Sequence, residues 1–262
     1  MSNARYRRHS LIEWFSQESL MRSKVAVVGA GAVGNEVIKN LALLGVGEIH
    51  IFDLDRIEEH NLTRSVLFRD TDLGQSKATV AAKRAMELDQ NVSAMPVHGD
   101  FWEHLTLSEL RTFDVVFCCV DNFEARIRCN MLCYLTGIDF VNTGIDSRSA
   151  LVEVYPFSLS RMTGCFECGL PATVYQRIAE RYSCGNLRKV SFIERKVPTT
   201  IITSTAVASL AVSHGLRLGP NDVEPVAQRF YMDTIAGSLT RTEMRRADGC
   251  PCCGRYSEIP PL

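Results

Sequence analysis

Four cysteines stand in two pairs of equal spacing, Cys165-Phe-Glu-Cys168 and Cys250-Pro-Cys-Cys253, widely separated in the chain. A Cys-x-x-Cys step puts two thiolates on one tight turn, and two such turns complete a tetrahedral Zn–S₄ site. Four protein ligands leave no open coordination position, so zinc on Cys165, Cys168, Cys250 and Cys253 is expected to be structural. Cys252 is spare, and dithiol redox chemistry is the alternative for either pair.

A second set of residues points to phosphate chemistry. The stretch VAVVGAGAVG (25–34) is an apolar run entering Gly29-x-Gly31-x-x-Gly34. The first glycine permits a tight turn, the second lets backbone approach a phosphate, and the third lets helix pack on strand. The amides of the following helix then favour an anion. Asp53 ends the next apolar run at the distance expected of a ribose-binding carboxylate, with Asp55 as its rival. Neither feature separates NAD from ATP. Three further features do. Asn61-Leu-Thr-Arg64, Gly74-Gln-Ser-Lys77 and Asp121-Asn122 all fall after apolar runs. Arg64 can fork onto phosphate oxygens, Lys77 is a point charge, and Asp121 can hold Mg²⁺. Two cations and a carboxylate suit a magnesium-bound triphosphate better than a pyrophosphate without metal.

Such groups act together only on a scaffold that gathers strand ends. Through residue 145, apolar runs alternate with helical spacing. KVAVVG is followed by a helix over 32–44, GEIHIFD is a strand, and GQSKATVAAKRAMELD a helix. VSAMPVHG and FDVVFCCVD are strands, NFEARIRCNMLCYLTG is a helix closed by Gly137, and IDFVNTG is a strand. This alternation predicts an α/β fold, a Rossmann-like mostly parallel sheet with helices on both faces. The C-terminal half is an elaboration: SALVEVYPF as a strand, residues 171–198 as loop or short helix, TTIITSTAVASLAVSHGLRLG as a buried helix, then VAQRFYMD and GSLTRTEMR as strands. The 262 residues form one compact unit.

Bulk properties exclude other classes. A net charge of −1 gives no general attraction to nucleic acid or anionic membrane. The N-terminus lacks the apolar core of a signal peptide, and the apolar run over 201–212 is too short to span a bilayer. A cytoplasmic protein is expected, and its ten cysteines read as metal ligands, reactive thiols or buried small side chains rather than disulfides.

In order, RYRR, VGAGAVG, FDLD, NLTR, GQSK, VDN and the paired Cys-x-x-Cys steps resemble the ThiF/MoeB/HesA family, the ubiquitin-activating-enzyme-like adenylyltransferases. The resemblance covers Arg5 to Gly254 and departs at Ala32, where the family often has glycine; alanine is tolerable there if the backbone is helical. It implies a single adenylation domain. An N-terminal helical arm would span 1–23, a nucleotide-binding half 24–145, and a carrier-binding and zinc half 146–262. It implies that Gly29, Gly31, Ala32, Gly34 and Asp53 bind the nucleotide, with Asn61, Arg64 and Lys77 around the phosphates and Asn122 beside Asp121. Arg8 would reach the phosphates from a partner subunit, making a homodimer; by itself RYRR reads as the basic face of an N-terminal helix. The substrate would be the C-terminal glycine carboxylate of a ubiquitin-like or sulfur-carrier protein ending in Gly-Gly. Many members also form a thioester, and Cys184 is the available thiol before Pro198. Arg181, Arg188 and Lys189 could favour its thiolate, or it is a loop cysteine without a role. Two other functions stay open: an NAD-dependent oxidoreductase using His50, His60 or His98, and a catalytically inactive, zinc-stabilised carrier-binding module.

Overall fold

The computed structural model of the protein describes residues 4–181, 198–219 and 225–254. Among the described residues eight strands form one sheet: β1 (Lys24–Val28), β2 (Glu48–Phe52), β3 (Ser93–Val97), β4 (Val115–Cys118), β5 (Asp139–Ile145), β6 (Ser149–Tyr155), β7 (Ala227–Asp233) and β8 (Ser238–Met244). Their spatial order is β3-β2-β1-β4-β5-β6-β7-β8. The first five pair in parallel, whereas β5–β6, β6–β7 and β7–β8 are antiparallel. Helical crossovers impose the parallel half, and short hairpins at Asp146 and Thr234 turn the chain straight back for β5–β6 and β7–β8, while residues 156–226 separate β6 from β7.

Helices α2 (Ala32–Leu44), α3 (Lys77–Leu88) and α8 (Ile201–Gly215) cover one face. Val37, Leu41, Ala81, Val207 and Ala211 there pack on Val25, Val27 and Val152 of the sheet. The other face carries α4 (Phe101–His104), α5 (Leu107–Leu110), α6 (Phe123–Thr136) and both cysteine knuckles. Burial on both faces explains the nearly unbroken apolar runs of β1 and β4. Cys118, Cys129 and Cys133 are fully buried small side chains of that second face.

The sheet breaks symmetry at β1. The chain steps through β2 and β3 on one side of it, then returns to place β4 on the other. Ligands of open α/β sheets bind above such a reversal, at the C-terminal strand ends. The glycine turn, Asp53 and Asp121 follow β1, β2 and β4 there.

Three elements differ from the sequence reading. The stretch FWEHLTLSEL, given no element, forms α4 and α5, the latter held by a capping box between Thr106 and Glu109. Helix α8 is buried along one face only, and Ile202 is 63% exposed. The N-terminal arm is two 3-10 turns (Ala4–Tyr6 and His9–Leu11) and a short α1 (Gln17–Arg22), not a basic helix. Arg5 turns inward to Asp89, at 2.8 Å, and Tyr6 is buried with its hydroxyl donating to the same carboxylate. In the C-terminal half, α7 (Ala172–Arg181) occupies part of the region read as loop or short helix.

Candidate active site

Each glycine of the turn meets a different environment. Gly29 adopts φ +93°, and a Cβ there would lie 2.8 Å from the Cys119 carbonyl oxygen. A Cβ on Gly34 would lie 1.9 Å from the Gly29 carbonyl oxygen, so this glycine lets α2 close on its own turn. Beside Gly31, no protein atom lies within 4 Å of where a Cβ would be. Protein packing therefore does not require glycine at 31, and the open space beside it is available to a ligand. Gly31 caps α2 without a side-chain bond, leaving the first-turn amides unpartnered within the helix. Ala32 is the first helical residue, in a conformation that tolerates its methyl group.

Asp53 closes over this turn. One carboxylate oxygen accepts the Ala30 amide at 2.6 Å and the other the Asp55 amide at 2.8 Å. Burial pushes its pKa above the usual carboxylate range, against the opposing pull of Lys77 and the two amides. Asp55, the rival for the ribose, instead pairs with Lys77: Nζ lies 2.8 Å from its carboxylate, and the lysine side chain is only 11% exposed. Lys77 opens α3 behind the Ser76 cap, and its own amide donates to the Asp55 carbonyl at 3.1 Å. Asp53, Asp55 and Lys77 thus form one charged group at the end of β2.

Residues 59–68 form consecutive tight turns. The Asn61 side-chain oxygen accepts the Glu58 amide at 2.9 Å, capping its own turn, while Arg64 Nη1 donates to the His60 carbonyl at 2.7 Å. Asn122 caps α6, accepting the Ala125 amide at 2.8 Å, and the preceding Asp121 is exposed. Arg8 lies on the exposed side of the arm, and no side-chain bond ties it to the glycine turn of its own chain among the described residues. Cys184 lies outside the described residues, as do Arg188 and Lys189.

Two contributors went unnoticed in the sequence. Arg126 reaches back from α6 to the Val120 carbonyl and the Asn142 side chain, each at 2.5 Å, fixing the backbone just before Asp121. Asn35 bonds both the glycine turn and residue 67. The available signal was an Asn one turn into an apolar-faced helix, where it is a poor helix former.

The paired cysteines do meet. The sulfurs of Cys165, Cys168, Cys250 and Cys253 all lie within 4.8 Å of one another, with Cys165–Cys250 at 3.6 Å, Cys165–Cys168 at 3.9 Å and Cys168–Cys253 at 3.2 Å. Tetrahedral zinc with bonds of about 2.3 Å sets sulfurs about 3.8 Å apart, so the set fits. Amides of Cys165 and Ala247 donate to Cys168 Sγ, each at 3.4 Å. Hydrogen bonds from Cys165, Cys250 and Cys253 pull the Cys168 pKa far below the usual thiol range. Cys165, chiefly through its contact with Cys168, is pushed up to about 12. Bound zinc would hold all four sulfurs as thiolates. The spare Cys252 accepts from buried Asn130 of α6 at 3.4 Å, and the Asn130 oxygen accepts the Phe166 amide at 3.0 Å. One side chain thus docks both knuckles on α6.

Two cavities, of about 420 and 310 Å³, lie elsewhere: among the N-terminal ends of β4 and β5, and between α2, α8 and the arm. Neither is at the strand ends where an open α/β sheet takes its ligand.

The ThiF family description matches residues 4–252. A sulfur carrier protein adenylyltransferase of Thermus thermophilus is 30% identical over 91% of this chain and 84% of its own length. The adenylyltransferase and sulfurtransferase MOCS3-1 of Zea mays is 27% identical over 97% of this chain and 52% of its own. SUMO-activating enzyme subunit 2 of Dictyostelium discoideum is 36% identical over 58% of this chain, which spans 22% of that protein. The chain thus spans about a fifth to a half of several curated relatives. The solved structure of E. coli MccB with AMPCPP and MccA superposes with a TM-score of 0.74 at 24% identity, over 97% of this chain and 75% of that one, a likeness of fold. No helix among the described residues is long and apolar enough to cross a membrane. Over residues 4–252, through the glycine turn and the first cysteine knuckle, this chain belongs to the ThiF family.

Proposed function

We propose that this chain adenylates the C-terminal carboxylate, a glycine, of a ubiquitin-like or sulfur-carrier protein at the expense of ATP. A carboxylate oxygen attacks the α-phosphorus, the bond from that phosphorus to the bridging oxygen breaks, and pyrophosphate leaves. The observation that carries this reading is the nearly buried Lys77 beside Asp53 and Asp55 at the end of β2, with Asp53 bonded to the glycine turn and the space beside Gly31 open. A buried ammonium at the C-terminal strand ends suits a triphosphate tail, and transfer of a hydride has no use for it.

In this reading Asp53 accepts the ribose hydroxyls, and the first-turn amides at Gly31 and Ala32 face the phosphates. Asn61, Arg64 and Lys77 surround the phosphate tail, with Asn122 holding the start of α6. Little covalent work falls to the protein, which must hold three atoms in line and offset charge on the leaving pyrophosphate. Asp121 would hold Mg²⁺, which offsets part of that charge when bound. Arg8 contributes from the partner of a homodimer, and loss of such an arginine costs on the order of 10³-fold in rate by analogy with arginine fingers. Cys184 then receives the activated acyl group as a thioester, releasing AMP.

ATP–pyrophosphate exchange, driven by candidate carriers ending in Gly-Gly, tests the proposal. Exchange by the wild-type chain, lost in Asp121→Ala without loss of fold, is the expected result. Thermal stabilisation by NADH but not by Mg·ATP would sink it. Cys184→Ala should keep exchange and lose any thiol-reducible adduct with the carrier.

A further inference from the structure

Asn35 is fully buried in α2, and its hydrogen bonds are divided between two segments. Its Nδ2 donates to the carbonyls of Ala30, at 2.6 Å, and Gly31, at 3.1 Å. Its Oδ1 accepts the backbone amide of Leu67, at 2.9 Å. Both partners are backbone, so the contacts specify chain position rather than another side chain's identity.

The two halves have different consequences. The Gly31 carbonyl also accepts the Asn35 backbone amide, at 2.8 Å, as the first bond of α2, so the side chain's own contribution is to hold the Ala30 carbonyl, an oxygen that would repel an anion, against the helix. The Ala30 amide is meanwhile taken by Asp53, so both edges of the turn are fixed. On the other side, Leu67 closes the turns carrying Asn61 and Arg64. The bond Phe68 N to Ser65 O, at 3.1 Å, and burial of Leu67 and Phe68 hold the end of that segment. Asn35 is the only side chain that the described hydrogen bonds show joining the two. A donor and an acceptor on one short, neutral side chain are needed: serine is too short to reach both, and aspartate would set a carboxylate against two carbonyls.

We infer that Asn35 is a positioning residue that sets the register of the Arg64 segment against the glycine turn, and so assembles the phosphate half of the site without touching the ligand. The inference rests on the proposed placement of Arg64 at the phosphates. It assigns Asn35 an effect that grows with the number of phosphates on the ligand.

The test is calorimetric titration of the full chain with Mg·ATP and, separately, with adenosine. Wild type is compared with Asn35→Ser, which releases both segments, and Asn35→Asp, which keeps the acceptor for Leu67 but loses the donor. Urea unfolding verifies the fold of each. The expected result is Mg·ATP binding weakened on the order of tenfold, the worth of one good hydrogen bond, with adenosine affinity unchanged. In an Arg64→Ala background, Asn35→Ser should add little further loss. Equal losses for adenosine and Mg·ATP, or an undiminished loss in that background, would overturn the inference, as would failure of both variants to fold. If Arg64→Ala alone leaves Mg·ATP binding intact, the phosphate placement itself falls, and this inference with it.

Discussion

At the scale of single residues, the three glycines separate packing from binding. Gly34→Ala forces a methyl group into a carbonyl 1.9 Å away. It should destabilise by roughly 3 kcal/mol or more, read as a lower urea midpoint. Gly31→Ala meets no protein atom within 4 Å and should leave that midpoint unchanged while weakening Mg·ATP binding. The reverse pattern would show that the space beside Gly31 is not a phosphate space. Asp53 gives a pH signature. Its folded-state pKa is raised by burial, so it holds a proton to higher pH than an ordinary aspartate. Nucleotide affinity should fall on acidification through that raised value, and Asp53→Asn should flatten the dependence. For stability the sign is opposite: a raised folded pKa contributes stability fully below the unfolded value of about 3.9, lost as pH rises through the folded value.

At the scale of elements, the arm and α6 matter most. The arm is tied by Tyr6, whose hydroxyl packs over Gly45 and donates to Asp89. Burial and the neighbouring Asp89 push that hydroxyl up to about 12. Burial raises the Asp89 pKa, but the Tyr6 hydroxyl and Asn91 outweigh it and hold the carboxyl below its usual range. The stability it contributes is present above about pH 3.9 and lost as pH falls through the lowered value. Tyr6→Phe removes a bond to a charged acceptor, costing about 1.5–3 kcal/mol of arm docking. Faster tryptic cleavage after Arg7 and Arg8 would report it; unchanged cleavage would mean the arm is held by other contacts. Helix α6 links two parts of the molecule: Asn122 caps it beside Asp121, and Asn130 docks both cysteine knuckles two turns later.

For the whole molecule, the zinc site and the second subunit make separable predictions. The knuckles pack into the core of one sheet face, so metal loss should loosen that face. One zinc per chain is expected, with Cys253→Ser or chelation lowering stability by at least about 3 kcal/mol. Full stability without bound metal would leave the cysteines as core packing. If Arg8 acts across a dimer, inactive Arg8→Ala and Asp121→Ala chains should complement when mixed and refolded. Half the dimers then hold one intact site, giving about a quarter of wild-type exchange. A mixture as inactive as its parents would place Arg8 in its own chain's site or in none.

Local pattern determined much of this protein. Helix 32–44 was bounded by residue types alone, because glycines end it on both sides and its buried positions recur at helical spacing. Two Cys-x-x-Cys steps named four ligands that do converge, since the spacing itself builds each knuckle. Short-range chemistry of this kind is written in consecutive residues. Contacts between distant segments are not. Asp55 and Asp53 look alike in sequence, and only burial at the end of β2 gives one to the turn and the other to Lys77. Asn35 reads as a weak helix former until Leu67 lies beside it, 32 positions on. Nothing in VAQRFYMD or GSLTRTEMR tells that these strands extend the sheet begun by β1 to β5, because pairing depends on which edge the rest of the chain leaves open. The sequence supplied the groups, and the tertiary structure decided which of them meet.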